Sequence, residues 1–230
     1  MTGTKSLTTK LQKYNSLLNL PCSDSQIEIL KDKLGVNFTD DVIELYKHHD
    51  GMQPSQIFPF RFMSISEVVE TEINFTDWLN DSKTDVSGDN KLSLFWTDDN
   101  SNYAGFCLSE KLKGMICIIN HDEIDLTPVF KDVFSFYESL LKVAEQNSHL
   151  IENDSDDCLI DWNEMETDFP RLFSSKIHDE DDSELANHFI ELFNSEPNDQ
   201  KKSHFAFCAM NVIPFDQTEK IYAFSESENM

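Results

Sequence analysis

The stretch "DDVIELYKHHDGMQ", residues 40–53, sets His48 and His49 beside Asp50, directly ahead of Gly51. Two imidazoles and a carboxylate are groups that can ligate a metal ion or move protons. Their spacing argues against a shared metal, because adjacent residues on a helix point about 100° apart, whereas a pair four apart shares one face. A helix end explains the same residues: histidines in the last turn complement the negative end of the dipole, and Asp-Gly turns the chain. The spacing favours the helix end over a metal or acid–base site.

"NHDEID", residues 120–125, gathers His121, Asp122, Glu123 and Asp125 behind a candidate strand, where they could form an acid–base or cation site. A polar turn of this composition reads more simply as a solvated strand exit. "HDEDD", residues 178–182, reads as an exposed charge run leading into a helix. The five cysteines, Cys22, Cys107, Cys117, Cys158 and Cys208, are odd in number, widely spaced and lack a C-x-x-C pair, which opposes a zinc site or a disulfide framework. Cys107 and Cys117 fall in apolar runs, where buried thiols pack rather than react. The chain has no G-x-S-x-G elbow, P-loop, Rossmann fingerprint or H-E-x-x-H. Six glycines leave little material for a phosphate-cradling loop. Neither a catalytic residue nor a cofactor is expected, and a hydrolase built on "NHDEID" is the weakest of the functional readings.

A chain of 230 residues with 39% hydrophobic content and 18 phenylalanines can bury a substantial core. No apolar run approaches the roughly 18 residues of a membrane span. The first residues, "MTGTKSLTTKLQKYNSLLNLP", have no continuous apolar block and do not read as a secretory signal, so a mature cytoplasmic chain starting here is expected. Asp and Glu number 43 against 18 Lys and Arg, a formal net charge of −25. That balance opposes direct contact with nucleic-acid phosphates or anionic lipid and suits a basic protein partner, although an acidic surface also serves solubility alone.

The elements that must position these groups follow from periodicity and caps. "CSDSQIEILKDKLG" carries a Ser23/Gln26 capping box and an apolar stripe of Ile27, Leu30 and Leu34, stopped by Gly35. A second helix starts at Thr39 and carries Val42, Leu45, Tyr46 and His49 on one face. "IFPFRFMS" reads as a strand, followed by a helix capped by Ser64 and Glu67. "KLSLFWT" alternates Leu92, Leu94 and Trp96 on one strand face, and "NYAGFCL" and "GMICIIN" form a hairpin with Gly114 in its connection. A helix over "FKDVFSFYESLLKVAEQ", with Asp132 as N-cap, closes the unit near residue 147. The aromatic set Phe58, Phe60, Phe62 and Trp96 reads as core in preference to a ligand groove.

This order of elements resembles the SUKH superfamily, which includes the Smi/Knr-type yeast cell-wall regulators and bacterial immunity proteins paired with polymorphic toxins. The residues that carry the resemblance are "IEILKDKLGVNFTDDVIELYKHHDG" with its Leu34-Gly35 pair and Asp50-Gly51 turn, "IFPFRFMSISEVVE", "LFWTDDNSNYAGFCLSEKLKGMICIINHDE", and "VFSFYESLL" with Ser135-Phe136. They cover about residues 20–147. Thr39 stands where many members have a proline before the second helix, and it caps the same start by a different route. The resemblance implies an α+β fold, a mainly antiparallel sheet covered by helices on one side, and a protein-binding role.

Residues 1–150 are therefore expected to form the SUKH-like unit. Residues 151–182 form an acidic, partly ordered connection, since Leu159, Ile160, Trp162, Phe169, Leu172 and Phe173 are too apolar for a solvated tail. Residues 183–230 form a short helical extension, three helices similar in pattern to the start of an α-solenoid; the last residues, "SESENM", show no C-cap and suit a longer parent chain. Two functions fit. One is an immunity-type protein that neutralises a basic toxin such as a nuclease; the other is a regulatory or scaffold domain of the cell-wall-regulator type. For a basic partner, the acidic turns Asp98-Asp99 and Asp122-Glu123 are expected to contribute to the binding face, with Trp96 or Tyr103 as aromatic anchor, whereas the partners of a scaffold domain need not be basic. The sequence leaves partner identity and oligomeric state open.

Overall fold

The computed structural model describes residues 2–34, 39–81, 92–109, 111–121, 125–147, 162–169 and 180–213. Helix α1 (Thr2–Leu11) runs into a 3-10 turn (Gln12–Leu17). Next come α2 (Asp24–Leu34), α3 (Asp40–His48), β1 (Arg61–Phe62) and α4 (Ile65–Asp81). The strands β2 (Leu92–Thr97), β3 (Tyr103–Cys107), β4 (Ile116–Ile119) and β5 (Pro128–Phe130) precede α5 (Val133–Gln146). A 3-10 turn (Trp162–Glu164), α6 (Glu180–Ser195) and α7 (Asp199–Val212) complete the described chain.

The sheet is a five-stranded antiparallel meander in the order β1-β2-β3-β4-β5. Expected capping chemistry sets several helix starts. The Glu67 carboxylate accepts from Ser64 N–H and Oγ, both at 2.7 Å, at the head of α4. Asp132 accepts from Ser135 N–H at 2.8 Å at the head of α5. Thr39 occupies the N-cap of α3, but its side chain makes no cap bond. Two elements were not expected from sequence: α1, which carries no capping signature, and β5, where Pro128 is tolerated because the strand lies at the sheet edge. The "IFPFRFMS" strand contracts to two residues.

Every residue of β2, β4 and β5 is buried, so the cover is not confined to one side of the sheet. Trp96 packs edge-on to Phe136 and Tyr137 of α5, placing that helix on one face. On α7, Cys208 is buried beside Asp125, Thr127 and Cys107, and Asn211 donates to Asp125 Oδ2 at 3.2 Å and Thr127 Oγ1 at 3.3 Å. The helical extension is what closes over this part of the sheet, and its Leu185, Phe189, Phe205 and Cys208 join the same core as the strands. The backbone also ties residues 168–169 to the sheet, since Asp168 N–H and Phe169 N–H both donate to the Val129 carbonyl. The expected third helix of the extension lies outside the described residues.

The expectation that Leu92, Leu94 and Trp96 share a strand face is corrected. Leu94 pairs with Gly105 and Trp96 with the adjacent Ala104, a register shift that turns Trp96 to the opposite face from Leu94.

Candidate functional site

Helix α3 buries Val42, Leu45 and Tyr46, and its periodicity carries His49 to the same inner side. His48 ends the helix, while His49 is the C-cap, with extended backbone and its N–H donating to the Leu45 carbonyl. The His49 side chain is 0% exposed, and its Nδ1 lies 2.9 Å from the Gly51 carbonyl oxygen. A carbonyl only accepts, so Nδ1 carries the proton. Burial pushes the imidazole pKa down to about 4, against a smaller opposing effect of that hydrogen bond. His49 is therefore a neutral donor sealed in the core, and the expectation that both histidines complement the dipole as cations holds in position only for His48.

Asp50 and Gly51 form a junction. Asp50 N–H donates to the Leu20 carbonyl, and Asp50 Oδ1 accepts from Ile65 N–H at 2.8 Å, at the first residue of α4. Asn19 N–H donates to the Gly51 carbonyl and Gln53 N–H to the Leu17 carbonyl, aligning residues 17–20 antiparallel to the turn. Gly51 has φ +79, and a Cβ there would stand 2.5 Å from Ser64 N. Only glycine fits this approach. The motif that suggested chemistry is a joint between three segments.

Arg61 extends that joint to the sheet. The chain has only two arginines. The Arg61 side chain, 11% exposed, donates from Nε and Nη2 to the Asp99 carboxylate at 2.6–2.9 Å, from Nη2 to Glu67 Oε1 at 2.8 Å, and from Nη1 to the Met52 carbonyl at 3.3 Å. Burial alone would disfavour the charged Glu67, but hydrogen bonds from Arg61 and Ser64 outweigh it and hold the carboxyl below its ordinary value. One guanidinium thus ties the Asp-Gly turn, the head of α4 and the β2–β3 turn together.

The β2–β3 turn is built on Asp98. Its Oδ1 accepts from Asn100 N–H at 2.7 Å and Asn102 N–H at 3.0 Å, and its Oδ2 from Asn102 Nδ2 at 2.6 Å. Asp99 and Ser101 both take positive φ, a conformation Asp tolerates through such local bonding. Asn102 Oδ1 accepts from His121 N–H at 3.0 Å and stands 2.9 Å from His121 Nδ1, so the exit of β4 is fastened to this turn.

The structure thus brings Asp98, Asp99 and Tyr103 together. Asp98 shapes the turn, Asp99 is matched by Arg61, and Tyr103 is half-buried, its phenol raised by burial and by the charges of Asp98 and Asp99. Trp96 does not join them. It is 0% exposed, with Phe62, Phe136 and Tyr137 around it, and so is unavailable as a surface anchor. Asp122 and Glu123 lie outside the described residues. Arg61 and Asn102 were missed by sequence reasoning, which read Glu67 only as a helix cap and His121 only as part of a polar strand exit; an isolated arginine in an acidic chain and the Asp98-x-Asn100-x-Asn102 spacing were the available signals.

Among the described residues no group of three or more His, Cys, Asp and Glu side chains is arranged to hold a metal ion. The Cys107 and Cys117 sulfurs lie 3.4 Å apart, and burial pushes the Cys117 and Cys208 thiols well up, which keeps them un-ionised. No helix among the described residues is long and apolar enough to cross a membrane.

The profile of the SMI1 / KNR4 family (SUKH-1) matches residues 21–139, a span that runs from the start of α2 into α5 and contains the Asp-Gly junction, Arg61 and the β2–β3 turn. No curated protein matches the chain.

Proposed function

Since the chain belongs to the SMI1/KNR4 family (SUKH-1), we propose that it is a non-catalytic protein-binding module, most concretely an immunity-type protein that neutralises a basic partner such as a polymorphic toxin. The observation that carries this reading is the rim around Arg61, where Asp98 and Asp99 are fixed by hydrogen bonds before any partner arrives and Tyr103 stands half-buried beside them. Preorganised groups lose little conformational freedom on binding. A net charge of −25 favours fast encounter with a positive surface. A nuclease must carry such a surface to hold phosphates, and covering it blocks the substrate both sterically and electrostatically. Cytoplasmic action on a toxin reaching the same compartment completes the reading.

The regulatory or scaffold reading draws on α6 and α7, which lie outside the family-matched span and enlarge the surface beyond it. We take residues 1–150 as the family unit, 151–182 as its connection and 183–230 as this extension.

The test uses a basic protein encoded beside this chain's gene. The expected result is a one-to-one complex that abolishes that protein's toxicity. Its association should slow about tenfold in the combined Asp99→Asn, Asp122→Asn, Glu123→Gln variant, with a weaker salt dependence. Absence of a complex would overturn the immunity reading; an unchanged association rate between about 50 and 300 mM salt would remove these turns as the electrostatic face.

A further inference from the structure

The sheet continues past β1. Met52 N–H donates to the Phe62 carbonyl at 2.7 Å, and Met52 pairs in turn with Leu18 in an antiparallel bridge closed by Asn19 N–H and Gln53 N–H. Residues 17–20 are therefore the outermost rung on that side. At the opposite edge the Val129 carbonyl of β5 is already taken by Asp168 and Phe169 N–H. Residues 17–20 have no counterpart to this cap: among the described residues the Leu18 carbonyl accepts no hydrogen bond and the Leu20 N–H donates none. An acceptor and a donor two residues apart on a sheet edge are the pair that an added strand engages.

Leu20 is 86% exposed, more than any other large apolar side chain among the described residues. A lone exposed leucine is ordinary, but this one stands on a backbone held from both sides. Its carbonyl accepts from Asp50 N–H at 2.9 Å, the Asn19 side chain donates to the Asp50 carbonyl at 2.7 Å, and beyond Pro21 the Cys22 N–H donates to the Tyr46 carbonyl at 2.9 Å. Docking on a segment fixed in this way costs little ordering. The surrounding charge selects the occupant. Asp24 is exposed four positions on, Asp99 is reached through the Met52 carbonyl and Arg61, and the nearby Lys13 and Lys47 are each held by a glutamate. A second copy would set a net charge of −25 against another of −25, whereas a segment carrying Lys or Arg is attracted.

We propose that the edge formed by residues 17–20 is a strand-addition site, taking an extended, Lys- or Arg-flanked segment of a protein partner that pairs its backbone with the Leu18 carbonyl and Leu20 N–H while an apolar side chain covers Leu20. The proposal rests on the reading of the chain as a protein-binding module and adds how the partner is held. The rim around Arg61 speeds encounter; the edge supplies directional main-chain bonds and a fixed apolar contact.

The experiment follows the backbone amide NMR signals of Asn19 and Leu20 in the full chain during titration with N-acetyl-Lys-Val-Thr-Val-Lys-amide. Saturable shifts at these amides are expected. The same peptide N-methylated at its three central amides should bind about tenfold more weakly, since it cannot donate to the edge. Leu20→Ser should weaken the parent peptide by a similar factor, about tenfold, through lost apolar contact. Because the Leu20 side chain is exposed, this variant should otherwise retain the parent's spectrum. No saturable shift, equal binding of the N-methylated peptide or of a Glu-flanked peptide, or indifference to Leu20→Ser would overturn the proposal. The readout needs no cognate partner, so the two failures are separate: peptide pairing without any toxin complex sinks the immunity reading alone, and a toxin complex without peptide pairing sinks the edge alone.

Discussion

Arg61 and Asp99, 38 positions apart, meet in a two-pronged ion pair in which Nε and Nη2 both donate to the carboxylate at 2.6–2.9 Å. The guanidinium is nearly enclosed while Asp99 is 41% exposed, so the pair sits between surface and interior in character. Replacing Arg61 by Met keeps the apolar stem but removes the guanidinium from Asp99, from Glu67 Oε1 and from the Met52 carbonyl, leaving Glu67 only its bonds from Ser64. The expected loss is about 1–3 kcal/mol, below that of a fully buried pair. Urea denaturation measures it, and an unchanged midpoint would contradict the role assigned to this side chain.

His49 makes stability depend on pH. Its pKa is about 4 in the fold, below the ordinary value of 6.5, so the unfolded chain binds more protons between those values. The contribution is complete above pH 6.5 and is lost as pH falls towards 4, on the order of 2–3 kcal/mol. Glu72 opposes it: burial raises its carboxyl to about 7, and its effect favours the fold at low pH and fades as pH rises from 4.5 to 7. Because Glu72 is common to both proteins, the change in stability from pH 7 to pH 5, measured by denaturation, should be more favourable in His49→Asn than in the parent. The same change in both would show that His49 does not titrate in this window.

Two glycines with positive φ should respond differently to alanine. At Gly114, φ +89, the added Cβ would meet only Thr39 Cγ2 at 3.9 Å, so the cost is the left-handed conformation, about 1–2 kcal/mol. At Gly51 the Cβ would also meet Ser64 N at 2.5 Å and the Met63 carbonyl carbon at 2.8 Å, backbone atoms that must move. Gly51→Ala should therefore lower the melting temperature at least twice as far as Gly114→Ala. Equal shifts would refute the close approach of the Asp-Gly turn to α4.

Asn211 fastens α7 to the sheet through Asp125 and Thr127, all three buried. Removing its amide in Asn211→Ala should cost about 1–3 kcal/mol, the range for a buried polar group that loses its partner. Asn211→Asp should be worse, because it sets a second carboxylate against Asp125. Thermal unfolding at neutral pH should rank the parent first, the alanine variant second and the aspartate variant last; any other order would contradict the contact.

Local chemistry was legible in the sequence, and long-range geometry was not. The capping boxes at Ser23/Gln26 and Ser64/Glu67 and the cap at Asp132 each involve residues three apart, so the pattern that suggests them is the interaction itself. The Asp50-Gly51 turn and the β3–β4 hairpin were legible for the same reason. Asp99 read as a free surface charge because its partner lies 38 positions away, where no periodicity can point. Trp96 read both as core with Phe58, Phe60 and Phe62 and as an anchor beside Asp98-Asp99; the structure buries it against Phe136 and Tyr137 of α5, a contact no local pattern announces. One-sided cover was expected because nothing in the α6 and α7 stripes says which surface they meet; that is decided by contacts such as Asn211 with Asp125.

The span that homology marks out and the body that must fold together are not the same object here. Leu7 and Leu11 of α1 are buried, and Lys10 and Lys13 reach across to Glu138 and Glu145 of α5, all from residues before position 21. Phe189 and Cys208 supply core from beyond position 139. Excising residues 21–139 would open the interior at both flanks. The family-matched span is thus not a self-sufficient folding unit in this molecule: both terminal regions are lodged in its core, and any graft or minimal version of the module must carry them along.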